Sequence, residues 1–197
     1  MATNKMQAIK LSKLNKLLNE IYPEMQATSI KAGELGGINT ELGNCVLING
    51  MACQRLLDNG FNAKLVGGKA AFSVNKGKHG VLDFGYSQRG EAITPSGEML
   101  HGYRGHCWIE IKKLNVIVDL TLPHLEQTFI HNNRQLGISD NEFKLSKSMV
   151  VSMDETQAWD KLLDGALGYH YQRNSNDSEF VNARYMDLEP LIFSIPQ

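Results

Sequence analysis

Three side chains of this sequence have the types and order from which an activated nucleophile is built: the thiol of Cys45, the imidazole of His106 and the carboxylate of Asp119. A thiol attacks as its thiolate, an imidazole can take and return the proton, and a carboxylate can hold the imidazole in one tautomer and orientation. Together they point to covalent acyl transfer. Each group is useful only if the chain places it, so the elements that carry the three decide whether the reading holds.

Gly43-Asn44 breaks the chain, and an almost wholly apolar run follows: Cys45, Val46, Leu47, Ile48, Met51, Ala52, Leu56 and Leu57, closed by Asn59-Gly60. This pattern predicts a buried helix with a left-handed C-cap. Cys45 falls in its first turn, where unpaired N–H groups and the positive end of the helix dipole favour a thiolate. The competing reading treats Cys45 as a small apolar residue, as most buried cysteines are.

The runs His106-Cys107-Trp108-Ile109-Glu110-Ile111 and Val116-Ile117-Val118-Asp119-Leu120-Thr121 flank the polar turn Lys112 to Asn115 and read as a β-hairpin. Period-two alternation puts Cys107, Ile109, Ile111, Val116, Val118 and Leu120 on one dry face. His106, Trp108, Glu110 and Asp119 share the other. Packing alone gives no reason to align a histidine with an aspartate, whereas a base and its orienting acid require it. A one-residue slip of register would undo the alignment. His101, in a glycine-dotted stretch without a clear strand face, is the rival to His106.

These pieces resemble the core of transglutaminase-like proteins, within the papain-like cysteine superfamily. The likeness rests on Cys45 opening a helix that Leu56 to Gly60 closes, the strand Ala63 to Gly68, the motif His106-x-Trp108-x-Glu110, and Val116 to Thr121. It covers roughly the middle two-fifths of the chain. The resemblance implies an α+β fold in which the cysteine helix packs on an antiparallel sheet carrying the histidine and the acid, with flanking helices. It makes Cys45 the nucleophile, His106 the general base and then acid, and Asp119 the residue that fixes the tautomer. An amide side chain six residues before the cysteine serves the oxyanion hole in papain-like proteases. Here that residue is Asn39, with Asn44 as a competitor and the Cys45 N–H as the second donor. Trp108 is a candidate wall of the substrate pocket. The aromatic residue that often follows the cysteine in that superfamily is replaced here by Val46.

Composition bounds the function classes. With 197 residues, 42% of them hydrophobic, the chain can bury a sizeable core, and residues 1–197 are expected to form one domain with helical elaborations at both ends. Twenty basic and 21 acidic residues give a net charge of −1 and no basic footprint for nucleic acid. No run is long and apolar enough for a membrane span or a signal segment, and an intracellular, cytoplasmic location is expected. Three cysteines without repeated spacing fit that expectation, with Cys53 and Cys107 assigned to the core. The six histidines form no H-x-x-x-H motif, and no glycine-rich segment has the lysine and hydroxyl of a phosphate loop, so no metal and no cofactor are expected. The expected substrate is a peptide, a protein or a small acyl compound. The alternative is a binding or regulatory module that keeps the fold without turnover.

The frame around the motif is read as follows. A first amphipathic helix runs from Asn4, its N-cap, to Pro23, and a polar loop spans Lys31 to Gly43. Strands Lys64 to Val74 and Val81 to Gly85 are joined by a turn containing His79. A long loop, Tyr86 to Gly105, is placed over the cleft. A helix starts at Pro123 and ends near Leu136. Another follows the capping box Asp154-x-x-Gln157 through Leu163. Gly165 to Asp177 forms a strand or loop, and a last helix from Ser178 towards Leu188 ends ahead of Pro190.

Overall fold

A computed structural model describes residues 2–35, 45–78, 80–85, 92–93, 99–100, 105–135, 137, 145 and 147–193. In chain order these form α1 (Ala2–Leu35), α2 (Cys45–Asp58), β1 (Lys64–Val74), β2 (Val81–Phe84), β3 (Ala92–Ile93), β4 (Met99–Leu100), β5 (His106–Ile111), β6 (Val116–Val118), α3 (Leu125–Gln135), β7 (Val150–Ser152), β8 (Leu167–Arg173) and α4 (Ser175–Phe193). The fold class is α+β. One antiparallel sheet runs in the order β2-β1-β5-β6-β7, and β8 also pairs with β1. Strand β1 is the spine: residues 68–74 take β8 along one edge, while the other edge takes β5 at 64–68 and β2 at 70–73.

The alternation of β5 and β6 sorts the core into two sides. Register pairs Ile109 with Val118, Glu110 with Ile117 and Ile111 with Val116, as expected from the sequence. Cys107, Ile109, Ile111, Val116 and Val118 therefore share one face, where they pack with Leu14, Leu18, Leu47, Met51, Leu56 and Val181 from α1, α2 and α4. Trp108 and Ile117 lie on the other, against Val66 and Tyr171. Helix α2 ends in the predicted cap. Gly60 has φ 79°, its N–H donates to Leu57 O, and the Phe61 N–H donates to Leu56 O, a Schellman closure. Leu57, expected in the core, is exposed.

Several element boundaries differ from those expected. Helix α1 begins at Ala2, so Asn4 is inside its first turn, and it continues through Pro23 to Leu35, into the segment expected as a loop. Leu14, Leu18, Ile21, Met25 and Ser29 form one buried stripe across the proline. Pro23 and Asn19, whose carbonyl loses its N–H partner, are both exposed, so water can serve that carbonyl. Packing of the stripe outweighs the roughly 3 kcal/mol intrinsic cost of an interior proline. Pro190 is likewise an exposed residue inside α4, and the carbonyl it orphans belongs to exposed Met186, so the last helix runs to Phe193; it begins at Ser175 rather than Ser178. Its cap is Asn174, whose Oδ1 accepts from the N–H groups of Asn176 and Asp177.

The helix expected after Asp154 is absent. Ser152 Oγ accepts from the Asp154 N–H to cap a single turn at Met153–Glu155, and a second short turn covers Trp159–Lys161. Between them the Gln157 N–H donates to Tyr169 O and its carbonyl accepts from His170 Nδ1, so β8 has taken the backbone groups that a helix would need. The stretch expected as one loop before β5 includes the antiparallel pair β3–β4. His79, His101 and Tyr103 lie outside the described residues.

Candidate active site

His106 is the first residue of β5 and Asp119 directly follows β6, so both stand at the open end of the hairpin. The N-terminus of α2 brings Cys45 to the same end, in contact with the His106 ring. His106 Nε2 lies 2.6 Å from Asp119 Oδ2. An ionised carboxylate only accepts, so the proton between them is on Nε2, and Nδ1 is left as the nitrogen that can exchange a proton with the thiol. Cys45 is half-buried, His106 is 2% exposed and Asp119 is 0% exposed.

The carboxylate is held from several sides. Asp119 Oδ1 accepts from Thr121 Oγ1 at 2.6 Å and from the Thr121 N–H at 3.0 Å. Oδ2 accepts from Tyr171 Oη at 3.0 Å in addition to His106. Burial alone would raise the carboxyl above its ordinary value. The imidazolium and the Thr121 bonds more than offset that and hold it lower. For His106 burial pulls the other way, favouring the neutral ring, but the charge and hydrogen bond of Asp119, reinforced by Cys45, raise it to about 10. The stable form of the pair at neutral pH is imidazolium–carboxylate, with the cation beside the thiol.

Sequence reasoning missed Asn49, four residues after Cys45 and fully buried. Its Nδ2 donates to Cys107 O at 2.8 Å and, over a longer 3.4 Å, faces Asp119 Oδ1, while its Oδ1 accepts from the Leu120 N–H at 2.9 Å. One amide thus ties the cysteine helix to both strands that carry His106 and Asp119. The signal was present: an amide inside a wholly apolar helical run must find partners, and one turn after the thiol those partners lie near the site. Tyr171 was also missed, and no local pattern marks it, because its place depends on how β8 pairs with β1 far along the chain.

Trp108, expected to wall a substrate pocket, is 1% exposed and stacks behind the imidazole with ring centroids 6.3 Å apart. It supports the histidine from beneath and does not line an open wall. Phe84 and Phe72 complete that aromatic bed at 5.0 and 5.8 Å from the His106 ring. Asn39 and Asn44, the candidate oxyanion donors, lie outside the described residues. Cys53 and Cys107 are buried and unpaired; burial first of all pushes the Cys53 thiol up to about 11 and Cys107 well above its ordinary value. Among the described residues no group of three His, Cys, Asp or Glu side chains is arranged to hold a metal ion, and no helix is long and apolar enough to cross a membrane.

No family model matches this sequence, and no curated protein matches it. The fold is similar to the crystal structure of genomics APC5867, with a TM-score of 0.54 at 15% identity over 87% of this chain and 75% of the other. At that identity the likeness is one of fold, and the chemistry must be argued from the residues of this chain.

Proposed function

We propose that this protein is a cysteine-dependent acyl-transfer enzyme with a papain- or transglutaminase-like core, acting on an amide, ester or thioester. The observation that carries the reading is the 2.6 Å His106–Asp119 pair, buried at the end of a hairpin with Cys45 at a helix N-terminus against the same imidazole. A buried ion pair is an expensive way to stabilise a fold, and its position beside a half-exposed thiol gives it a use.

In the proposed reaction the Cys45 thiolate attacks the carbonyl carbon, forming a C–S bond and an oxyanion. The N–H of Cys45, in the first turn of α2 where helical N–H groups have no intrahelical acceptor, can donate to that oxyanion. Collapse expels the amine, alcohol or thiol, which takes its proton from His106 Nδ1 and leaves a thioester on Cys45. Water or an amine then attacks the thioester while His106 takes the attacker's proton, and Cys45 leaves as the thiolate. Asp119 keeps the Nε2 proton in place throughout. Three unpaired cysteines fit a reducing, cytoplasmic setting for this chemistry.

The test is intact-protein mass spectrometry after exposure to a panel of activated esters, amides and thioesters. The wild-type chain should gain one acyl group, mapped to Cys45 and lost in Cys45→Ser. Absence of acylation across the panel, together with partner binding unaffected by Cys45→Ala, would favour a non-catalytic module.

A further inference from the structure

Asp119 Oδ2 receives two hydrogen bonds, from His106 and from Tyr171, and the reaction scheme uses only the first. Tyr171 comes from β8, some 50 residues beyond the hairpin, yet strand register brings it to the site. On β1, Gly68 pairs with His106 of β5 and Ala70 with Tyr171 of β8, so the two side chains emerge on the same face of the sheet, two β1 residues apart. Gly68 permits this approach, since a Cβ there would run into the Gln172 carbonyl of β8. The phenol is wedged between Trp108 and Phe72, with ring centroids at 5.1 and 5.6 Å, and its hydroxyl reaches the carboxylate.

We propose that Tyr171 is a positioning residue of the site, which by donating to Asp119 Oδ2 orients the carboxylate towards His106 and keeps it ionised to lower pH than His106 and Thr121 alone would. A hydrogen bond to the charged form of an acid favours that form, and the effect is large where water is excluded. A phenylalanine would fill the same space between Trp108 and Phe72, so ring packing does not account for the hydroxyl. The titratable groups facing Asp119 are His106 and Cys107 from β5 and Tyr171 from β8; Cys45 from α2 lies against His106, and Tyr169 stands beside Tyr171. Tyr171 stays protonated because burial, followed by the charge of Asp119, raises it well above its ordinary value, so it remains a donor across the working range.

This inference rests on the acyl-transfer reading for its purpose, but its test does not need turnover. In the full-length protein, the His106 ring resonances are followed by NMR on acidification in wild type and in Tyr171→Phe. The transition in which Asp119 protonates and the His106 environment changes should move up by about one pH unit in the variant, a tenfold change in carboxyl ionisation. An unmoved transition with only a lower Tm would overturn the proposal and leave Tyr171 a packing residue. Should Tyr171→Phe not fold, the wild-type hydroxyl proton gives the answer: bonded to a carboxylate, it should shift upfield in the same acid transition as His106, and independence of the two would overturn the proposal. Failure of Cys45 to acylate, with the acid transition still moved by Tyr171→Phe, would count against the enzyme reading alone.

Discussion

Asn49→Ala removes the clamp between the cysteine helix and the hairpin. In the native chain the Asn49 amide satisfies the Leu120 N–H and the Cys107 carbonyl, both in fully buried residues. Alanine leaves both groups without a partner, and each unsatisfied buried group costs about 1–3 kcal/mol. The 3.4 Å approach to Asp119 is too long for a hydrogen bond to add much to this. The expected loss is therefore about 2–6 kcal/mol, a large share of the roughly 5–15 kcal/mol typical of a folded domain. Urea unfolding at pH 7 reads it directly. With a slope of about 2 kcal/mol/M, the midpoint should fall by roughly 1–3 M at unchanged slope. Asn49→Asp should be at least as damaging at neutral pH, because it turns a second carboxylate towards the Cys107 carbonyl and Asp119, and should recover as falling pH protonates it. A midpoint shift under about 0.3 M for Asn49→Ala would mean that the two backbone groups are satisfied without the amide, and that Asn49 is no clamp.

Three further outcomes are expected. Asp119→Asn takes the negative charge from beside His106, so the imidazolium that faces the thiol is no longer held there, and Cys45 alkylation at pH 6.5 should slow by roughly 10-fold or more; an unchanged rate per folded molecule would make the aspartate structural. The His106 folded value of about 10 lies above its ordinary 6.5, so its contribution to stability is complete below pH 6.5 and lost as pH rises through 10. Asp119, held below its ordinary value, contributes above about pH 3.9 and loses that contribution as pH falls through its lowered value. The stability gap between wild type and Asp119→Asn should thus be widest near pH 4–6.5 and narrow by pH 10, as measured by urea unfolding across that range. Gly68→Ala should lower Tm and weaken the β1–β8 pairing, because the new methyl meets the Gln172 backbone rather than a side chain that can move; hydrogen exchange at the amides of β8 would show it, and unchanged protection there would contradict it.

How much of this was written locally in the sequence differs from element to element. The cysteine helix and its Gly60 cap, and the register that aligns His106 with Asp119, follow from short-range periodicity and turn chemistry, and both occur as expected. Boundaries set by packing were not accessible in the same way. Pro23 and Pro190 signal helix ends, but exposed carbonyls and the buried stripe through Met25 let the helices continue. Asp154 and Gln157 have the spacing of a cap, yet β8 binds the Gln157 backbone first. Tyr171 reaches Asp119 through β1, a strand about 100 residues earlier, and no single-segment pattern encodes a meeting of that range.

The proposed chemistry requires Cys45 to be activated by its surroundings, and this is read by comparing its iodoacetamide alkylation rate in the folded chain with that in the urea-unfolded chain, both at about pH 6.5, by peptide mapping. Burial alone can only slow a thiol. Folded Cys45, although half-buried, should react roughly tenfold or more faster than when unfolded, and well ahead of Cys53 and Cys107. A folded Cys45 that reacts more slowly than the unfolded one, or no faster than the two core cysteines, would contradict it.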